Sequence, residues 1–212
     1  MAHEPDWAEA TEQQVLDAAV RLAPATGWTW PMAHAAGRAA GLSAAETELL
    51  IPHGPADLAA LLAARHDAAA LARLAGIDPG ALKIRARIRA AVEARLEAAA
   101  ADEAAVRRWA GYLALPFHLP LALRLLWTSA DGLWRWAGDT ATDENHYSKR
   151  AILSGVLASG LAIRLASGAQ DAMAFVDARI ENVMAYEKWK AGRKAGDLLA
   201  DVAAALGRMR YR

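Results

Sequence analysis

The chain has no cysteine among its 212 residues. Disulfides, thiolate zinc sites and cysteine nucleophiles are thereby excluded. It also lacks any unbroken run of about 20 apolar residues, so no segment reads as a membrane span. The opening Met1-Ala-His-Glu-Pro-Asp-Trp7 is acidic and has no apolar stretch. It reads as neither a secretion signal nor an arginine-rich transit peptide. No segment alternates polar and apolar residues over the length of a strand. Glycine-rich phosphate loops and the Gly-x-Ser-x-Gly elbow are missing too, so neither a nucleotide cradle nor a hydrolase nucleophile is visible. The six histidines, His3, His34, His53, His66, His118 and His146, fall in no HExxH or ExxH pattern. A di-iron bundle site would need two Glu-x-x-His pairs. No metal is expected, and His34 and His118 read as helix-packing or capping residues.

What is present favours helix. Hydrophobic residues make up 55% and charged residues 23%, which suits a globular chain with a sizeable core. Alanine and leucine dominate. Net charge is zero but unevenly spread. Residues 1–58 carry two basic side chains (Arg21, Arg38) and eight acidic ones, a formal −6, which leaves +6 for the rest. Periodicity and punctuation predict nine helices, near Glu9–Leu22, Pro31–Gly41, a short one capped by Ser43, one from after Pro55 to Leu74, then Leu82–Ala99, Asp102–Leu115, Leu121–Ala137, Asp143–Ala166 and Ala172–Leu206. Pro24 and Gly27 should end the first. Ser43-x-x-Glu46 is a capping box, and Gly138 fits a C-terminal stop.

The first three helices resemble the helix-turn-helix of TetR-type repressors. Their electrostatics do not suit DNA. The would-be recognition helix is Ser43-Ala-Ala-Glu-Thr-Glu-Leu-Leu50, and Glu46 and Glu48 would face a polyanion. The expected architecture is all-α, with a degenerate helix-turn-helix at 1–58, a helical lipid-binding bundle at 59–206 and a basic tail at 207–212. No nucleic-acid partner is expected.

The densest chemistry lies in Asp131-Gly-Leu-Trp134-Arg-Trp-Ala-Gly-Asp-Thr-Ala-Thr-Asp-Glu-Asn-His-Tyr-Ser-Lys-Arg150. Thr140 or Thr142 can cap the eighth helix, with Asp143 and Glu144 in its positive first turn. Asp139 can accept from Lys149 or Arg150. A tryptophan near the surface beside Asp and Arg is a typical interface anchor, which marks Asp131, Trp134 and Arg135 as a partner surface. An acid–base role for Asp139 and His146 has no supporting motif.

This segment resembles the signature D-x-x-W-x-x-A-G-D-x-S-T-D-F-N-W-Y-T-K-R of the COQ9 family of ubiquinone biosynthesis accessory proteins. Asp6-Trp-Ala-Glu-Ala-Thr-Glu-Gln-Gln-Val-Leu-Asp-Ala-Ala19 and Phe175-Val-Asp-Ala-Arg-Ile-Glu-Asn-Val-Met184 are similar to that family as well. Gly138, Asp139, Thr142, Asp143, Asn145, Tyr147, Lys149 and Arg150 match the motif, whereas Ala141, Glu144, His146 and Ser148 depart from it. The resemblance implies a TetR-like fold, no catalysis, no cofactor beyond a bound isoprenoid lipid or quinone, and partnership with a ubiquinone-pathway hydroxylase. The alternative is a TetR-type, ligand-responsive regulator.

The apolar segments agree with a lipid binder. Leu115, Phe117, Leu123, Leu126, Trp127, Leu153, Val156 and Leu157 are the expected pocket lining. Ser154, Gly155, Ser159 and Gly160 either let another helix, including a dimer partner, approach closely or leave room for an apolar ligand. On the last helix Lys188, Trp189, Lys190 and Lys194 form a basic, aromatic stripe suited to a phospholipid surface. A homodimer in the bacterial cytoplasm, peripheral to the inner membrane, is the expected setting.

Overall fold

A computed structural model describes residues 7–140 and 144–192, with side chains over 7–140 and 146–185. The described residues form nine α-helices and two short 3₁₀ turns, with no strand. The helices are α1 (Trp7–Thr26), α2 (Trp30–Ala39), α3 (Ala44–Leu50), α4 (Pro55–Leu74), α5 (Ile84–Ala100), α6 (Glu103–Leu113), α7 (Leu119–Trp136), α8 (Glu144–Ser167) and α9 (Ala169–Gly192). The all-α class and the helix count are as expected.

Pro24 does not end α1. The helix runs through it to Thr26. A proline removes one N–H donor, but the turn is held beyond it. The Thr26 hydroxyl donates to the Leu22 carbonyl at 2.9 Å, and the Gly27 amide donates to Ala23 at 2.9 Å. Gly27, at φ +75°, is the actual stop. The other N-terminal signals are realised. Thr29 caps α2, and Ser43 and Glu46 complete both halves of a capping box on α3. The crossing of α2 and α3 depends on Gly37. A Cβ there would lie 2.0 Å from the Thr47 hydroxyl.

Two cores share α4. The first joins α1, α2 and α6 to the N-terminal half of α4 through Leu16, Met32, Leu58, Leu62, Val106 and Trp109. The second gathers Leu74, Val92, Leu133, Leu153 and Val176 from α4, α5, α7, α8 and α9. The expected domain boundary at residue 58 thus falls inside a helix that serves both cores. A buried polar cluster sits along α4. His66 pairs with Asp102 at 3.0 Å, Arg95 pairs with Asp67 at 2.6 Å, and the Ser129 hydroxyl donates to Asp67. Burial, then the nearby Arg95 charge, pushes the His66 pKa below its ordinary value.

The exposed face of α3 carries Glu46, Glu48 and Leu49, and Glu48 is bonded to His34 at 2.9 Å. No basic side chain lies on this seven-residue helix. The intact chain is therefore expected to show no duplex DNA binding by fluorescence anisotropy. Micromolar binding at physiological salt, with a steep salt slope, would contradict this.

Residues His146–Ser167 of α8 are long and apolar enough to cross a bilayer by length and composition alone. In the fold one face of this helix is packed. Leu153 and Leu157 are buried, and Gly160 lies where a Cβ would meet Leu96 of α5 at 3.3 Å and Val176 of α9 at 3.6 Å.

Candidate functional site

The corner between α7 and α8 is built by backbone geometry first. Gly138 takes φ +88°, its amide donates to Arg135, and the Asp139 amide donates to Trp134. That pair of bonds is the Schellman ending of a helix. Arg87 of α5 reaches in and donates to the Ala137 carbonyl at 2.8 Å. A Cβ on Gly138 would crowd that guanidinium at 3.3 Å.

The charged residues then lock the corner. Arg150 is 2% exposed and donates through Nε to Asp131 at 2.6 Å and through Nη1 to Asp139 at 3.0 Å. Asp139, 5% exposed, also accepts from Lys149 Nζ at 2.6 Å. Asp131 accepts a second cation, Arg135, at 2.8 Å. Burial alone would raise the Asp139 carboxyl, but the hydrogen bonds from Lys149 and Arg150, and their charges, outweigh it and hold its pKa below the ordinary value. Burial opposes the Arg150 charge too, and the bonds it donates to Asp131 and Asp139 overcome it, so its pKa lies above the ordinary value. Asp139 thus accepts from both candidate donors.

Trp134 is half-buried, not a surface residue. Its indole Nε1 donates to the Lys149 carbonyl at 3.1 Å, and the Lys149 ammonium sits 5.3 Å from its ring centroid. Of the three expected partner-surface residues, only Arg135 is exposed, and it is paired with Asp131. Asp131 is engaged twice inside the corner. Tyr147 is exposed and stacks at 6.1 Å from Trp127. Thr142 and Asp143 lie outside the described residues, as does the side chain of Asn145.

A cavity of about 240 Å³ lies beside this corner, between α5, α8 and α9. Ile84 and Ile88 come from α5, Ile152, Leu153 and Val156 from α8, and Ile180, Val183 and Met184 from α9. Trp134 also lines it, and Arg85, Lys149 and Arg179 are the charged members of the lining. A second, wider cavity of about 360 Å³ shares Ile152, Val156, Arg179 and Val183 with the first and adds Gly155, Ser159 and Phe175. The two adjoin along the α8–α9 seam. The small residues of α8 therefore divide. Gly160 permits close helix packing, whereas Gly155 and Ser159 face open space.

The expected pocket lining needs correction. Leu153 and Val156 line the first cavity. Leu157 is buried in the second core, and Leu126 packs against that core. Leu115, Phe117 and Leu123 are exposed, and Trp127 is half-buried against His146 and Tyr147. The physical reason is that Leu119 and Leu123 share a helical stripe with the buried Ala130 and Leu133, but among the described residues nothing covers that stripe at the N-terminal end of α7, where Leu121 and Leu125 pack against the first core instead. The walls instead come from α5 and α9. Ile180 and Met184 fall within the segment Phe175–Met184 that the family resemblance covers. Ile84 and Ile88 had no signal beyond ordinary amphipathic spacing. Lys194 lies outside the described residues, and so do the side chains of Lys188, Trp189 and Lys190.

Comparison with known proteins bears on this region. A family model described as COQ9 matches residues 119–187, which span α7, α8 and most of α9. The chain is 27% identical over 187 residues to the ubiquinone biosynthesis protein COQ9, mitochondrial, of Bos taurus, covering 83% of this chain and 58% of that protein. It is 26% identical over 187 residues to the Homo sapiens protein of the same name, with the same coverage of this chain. A Xenopus tropicalis relative is 33% identical over 103 residues, 46% of this chain and 32% of that one. The chain spans less than two thirds of the length of these relatives. Their names also correct one expectation. They are mitochondrial proteins, which points to the mitochondrion and away from a bacterial cytoplasm.

Proposed function

Because the chain belongs to the COQ9 family, we propose that it is a non-enzymatic accessory protein of ubiquinone biosynthesis. In this reading it holds a prenylated quinone precursor and presents it to a membrane-associated hydroxylase of the pathway. The observation that carries the reading is the apolar cavity between α5, α8 and α9, inside the matched segment on two of its three sides. Its branched aliphatic walls suit an isoprenoid chain, with a few polar groups at the edge to orient a head. At about 240 Å³ it holds a segment of such a chain, and the adjoining groove offers the rest of the path.

The partner surface is the uncovered N-terminal end of α7 together with the Pro116–His118 turn before it. Phe117, Leu119 and Leu123 are 72%, 51% and 57% exposed, with Arg135 and Tyr147 farther along the same corner. An exposed apolar row of this kind marks a contact site. Here Asp131 and Trp134 support the surface from beneath.

The test is native mass spectrometry of the chain expressed in a ubiquinone-making host, paired with thermal melting after quinone addition. A co-purifying isoprenoid mass and a raised Tm are expected. Apo protein alone, with Tm unchanged by quinone, would remove the reading. In the same preparation, Leu123→Asp should abolish pull-down of the pathway hydroxylase while leaving the lipid mass in place.

A further inference from the structure

The start of α5 has the wrong charge for a helix N-terminus. The free amides there form the positive end of the helix dipole, which favours acidic side chains and disfavours basic ones. This helix has no acidic residue in its first turn and no side-chain cap on its amides. It carries Lys83 at the N-cap and Arg85 one residue inside. Three sources of positive potential therefore converge where Ile84 and Arg85 meet the cavity.

Across the cavity, Arg179 of α9 lines both voids, its guanidinium 5.1 Å from the Phe175 ring centroid. Among the described residues no carboxylate pairs with Arg85 or Arg179, although Arg87 and Arg89 on the same helix are fully engaged. Arg87 bonds the Leu82 and Ala137 carbonyls, and Arg89 bonds Glu93 and Asp177. Lys149, the third cation of the lining, has its charge met by Asp139. Two guanidinium groups that no described carboxylate pairs, and a helix start with no side-chain cap, thus border an apolar hole.

We propose that this rim recognises an anionic headgroup, so that the cavity takes a long-chain amphiphile bearing a phosphate or carboxylate. The inference rests on the lipid-binding reading of the same cavity and specifies the head that reading leaves open. An anion at the rim relieves the repulsion between Arg85 and the α5 dipole, and each guanidinium can give it paired, charge-assisted hydrogen bonds. The chain has two possible sources, an acyl phospholipid or a prenylated acid, and both present the same chemistry to the rim.

The experiment measures binding to the full chain by calorimetry, below the micelle concentration, with two matched pairs of probes. Geranylgeranyl phosphate is compared with geranylgeraniol, and oleoyl lysophosphatidic acid with monooleoylglycerol. The anionic member is expected to bind about tenfold more tightly at low salt, with the gap narrowing as salt rises. Arg85→Gln with Arg179→Gln should erase the gap within each pair, with circular dichroism confirming that the helical fold is kept. A gap confined to one pair supports the inference and identifies the chain type. Equal affinity within both pairs overturns the headgroup inference and leaves lipid binding standing. A gap that survives the double substitution overturns the assignment to this rim. No binding by any of the four probes defeats the lipid reading itself, and the inference with it.

Discussion

Replacing Arg150 with methionine is expected to destabilise the fold by about 3–5 kcal/mol, the usual cost of removing one partner from a buried ion pair. The guanidinium is buried to 2% exposure between Asp131 and Asp139. Without it Asp139 keeps only Lys149, and Asp131 keeps only the exposed Arg135. Methionine retains much of the apolar bulk, so the loss isolates charge and hydrogen bonding from packing. In a chain of this size the change lowers Tm by roughly 10 °C. Removing the charge from Asp139 as well, by Asp139→Asn in the same chain, should restore part of the loss. The pH dependence has a definite sign. The folded chain holds the Asp139 carboxyl below its ordinary pKa, so the unfolded chain takes up that proton first. The stability it contributes is fully present above the ordinary carboxylate range and disappears as pH falls through the lowered value. Urea titrations read by circular dichroism at neutral and acid pH measure both effects. A loss under about 1 kcal/mol at neutral pH would mean the corner is not held by this cluster.

Trp134→Ala should cost about 2–3 kcal/mol and also weaken isoprenoid binding. A fully buried tryptophan costs roughly 3–5 kcal/mol on truncation, and this one is half-buried. Its ring lines the cavity, and its indole holds the Lys149 carbonyl at 3.1 Å. Trp134→Phe, which keeps most of the wall and loses the hydrogen bond, should cost about 1 kcal/mol and leave lipid binding closer to wild type. Thermal melting and quinone titration on the two variants separate the roles. An alanine variant that melts normally and binds lipid but no longer captures the hydroxylase would make Trp134 the surface anchor that its sequence setting suggests.

Local signals in the sequence mapped directly onto structure. The fourth helix ends at Leu74 as expected and begins on Pro55 itself, the Ser43–Glu46 box forms both bonds, and Gly138 makes the Schellman turn. Each is decided within a few residues, so the chain itself carries the information. The pairing of Asp139 with Lys149 and Arg150 was legible for the same reason, since opposite charges flank one short turn. The location of the cavity was not. Periodicity assigns a face to a helix but not what lies against that face. The leucines at 119 and 123 look like core in the sequence and share a stripe with the buried Leu133, yet they are exposed because nothing described covers that end of α7. Ile84 and Ile88 belong to a helix with weak amphipathic character, and only the packing of α8 and α9 over α5 turns them into a wall. The clue that was available is electrostatic: Lys83 and Arg85 at a helix start without an acid.

The most direct test of where the ligand sits is photo-crosslinking with a diazirine-bearing prenyl quinone, followed by peptide mapping. Adducts are expected on α5, α8 and α9, at or beside Ile88, Ile152, Val156 and Ile180. Adducts confined to residues 115–127 at the start of α7, or no adduct that unlabelled quinone competes away, would contradict the account.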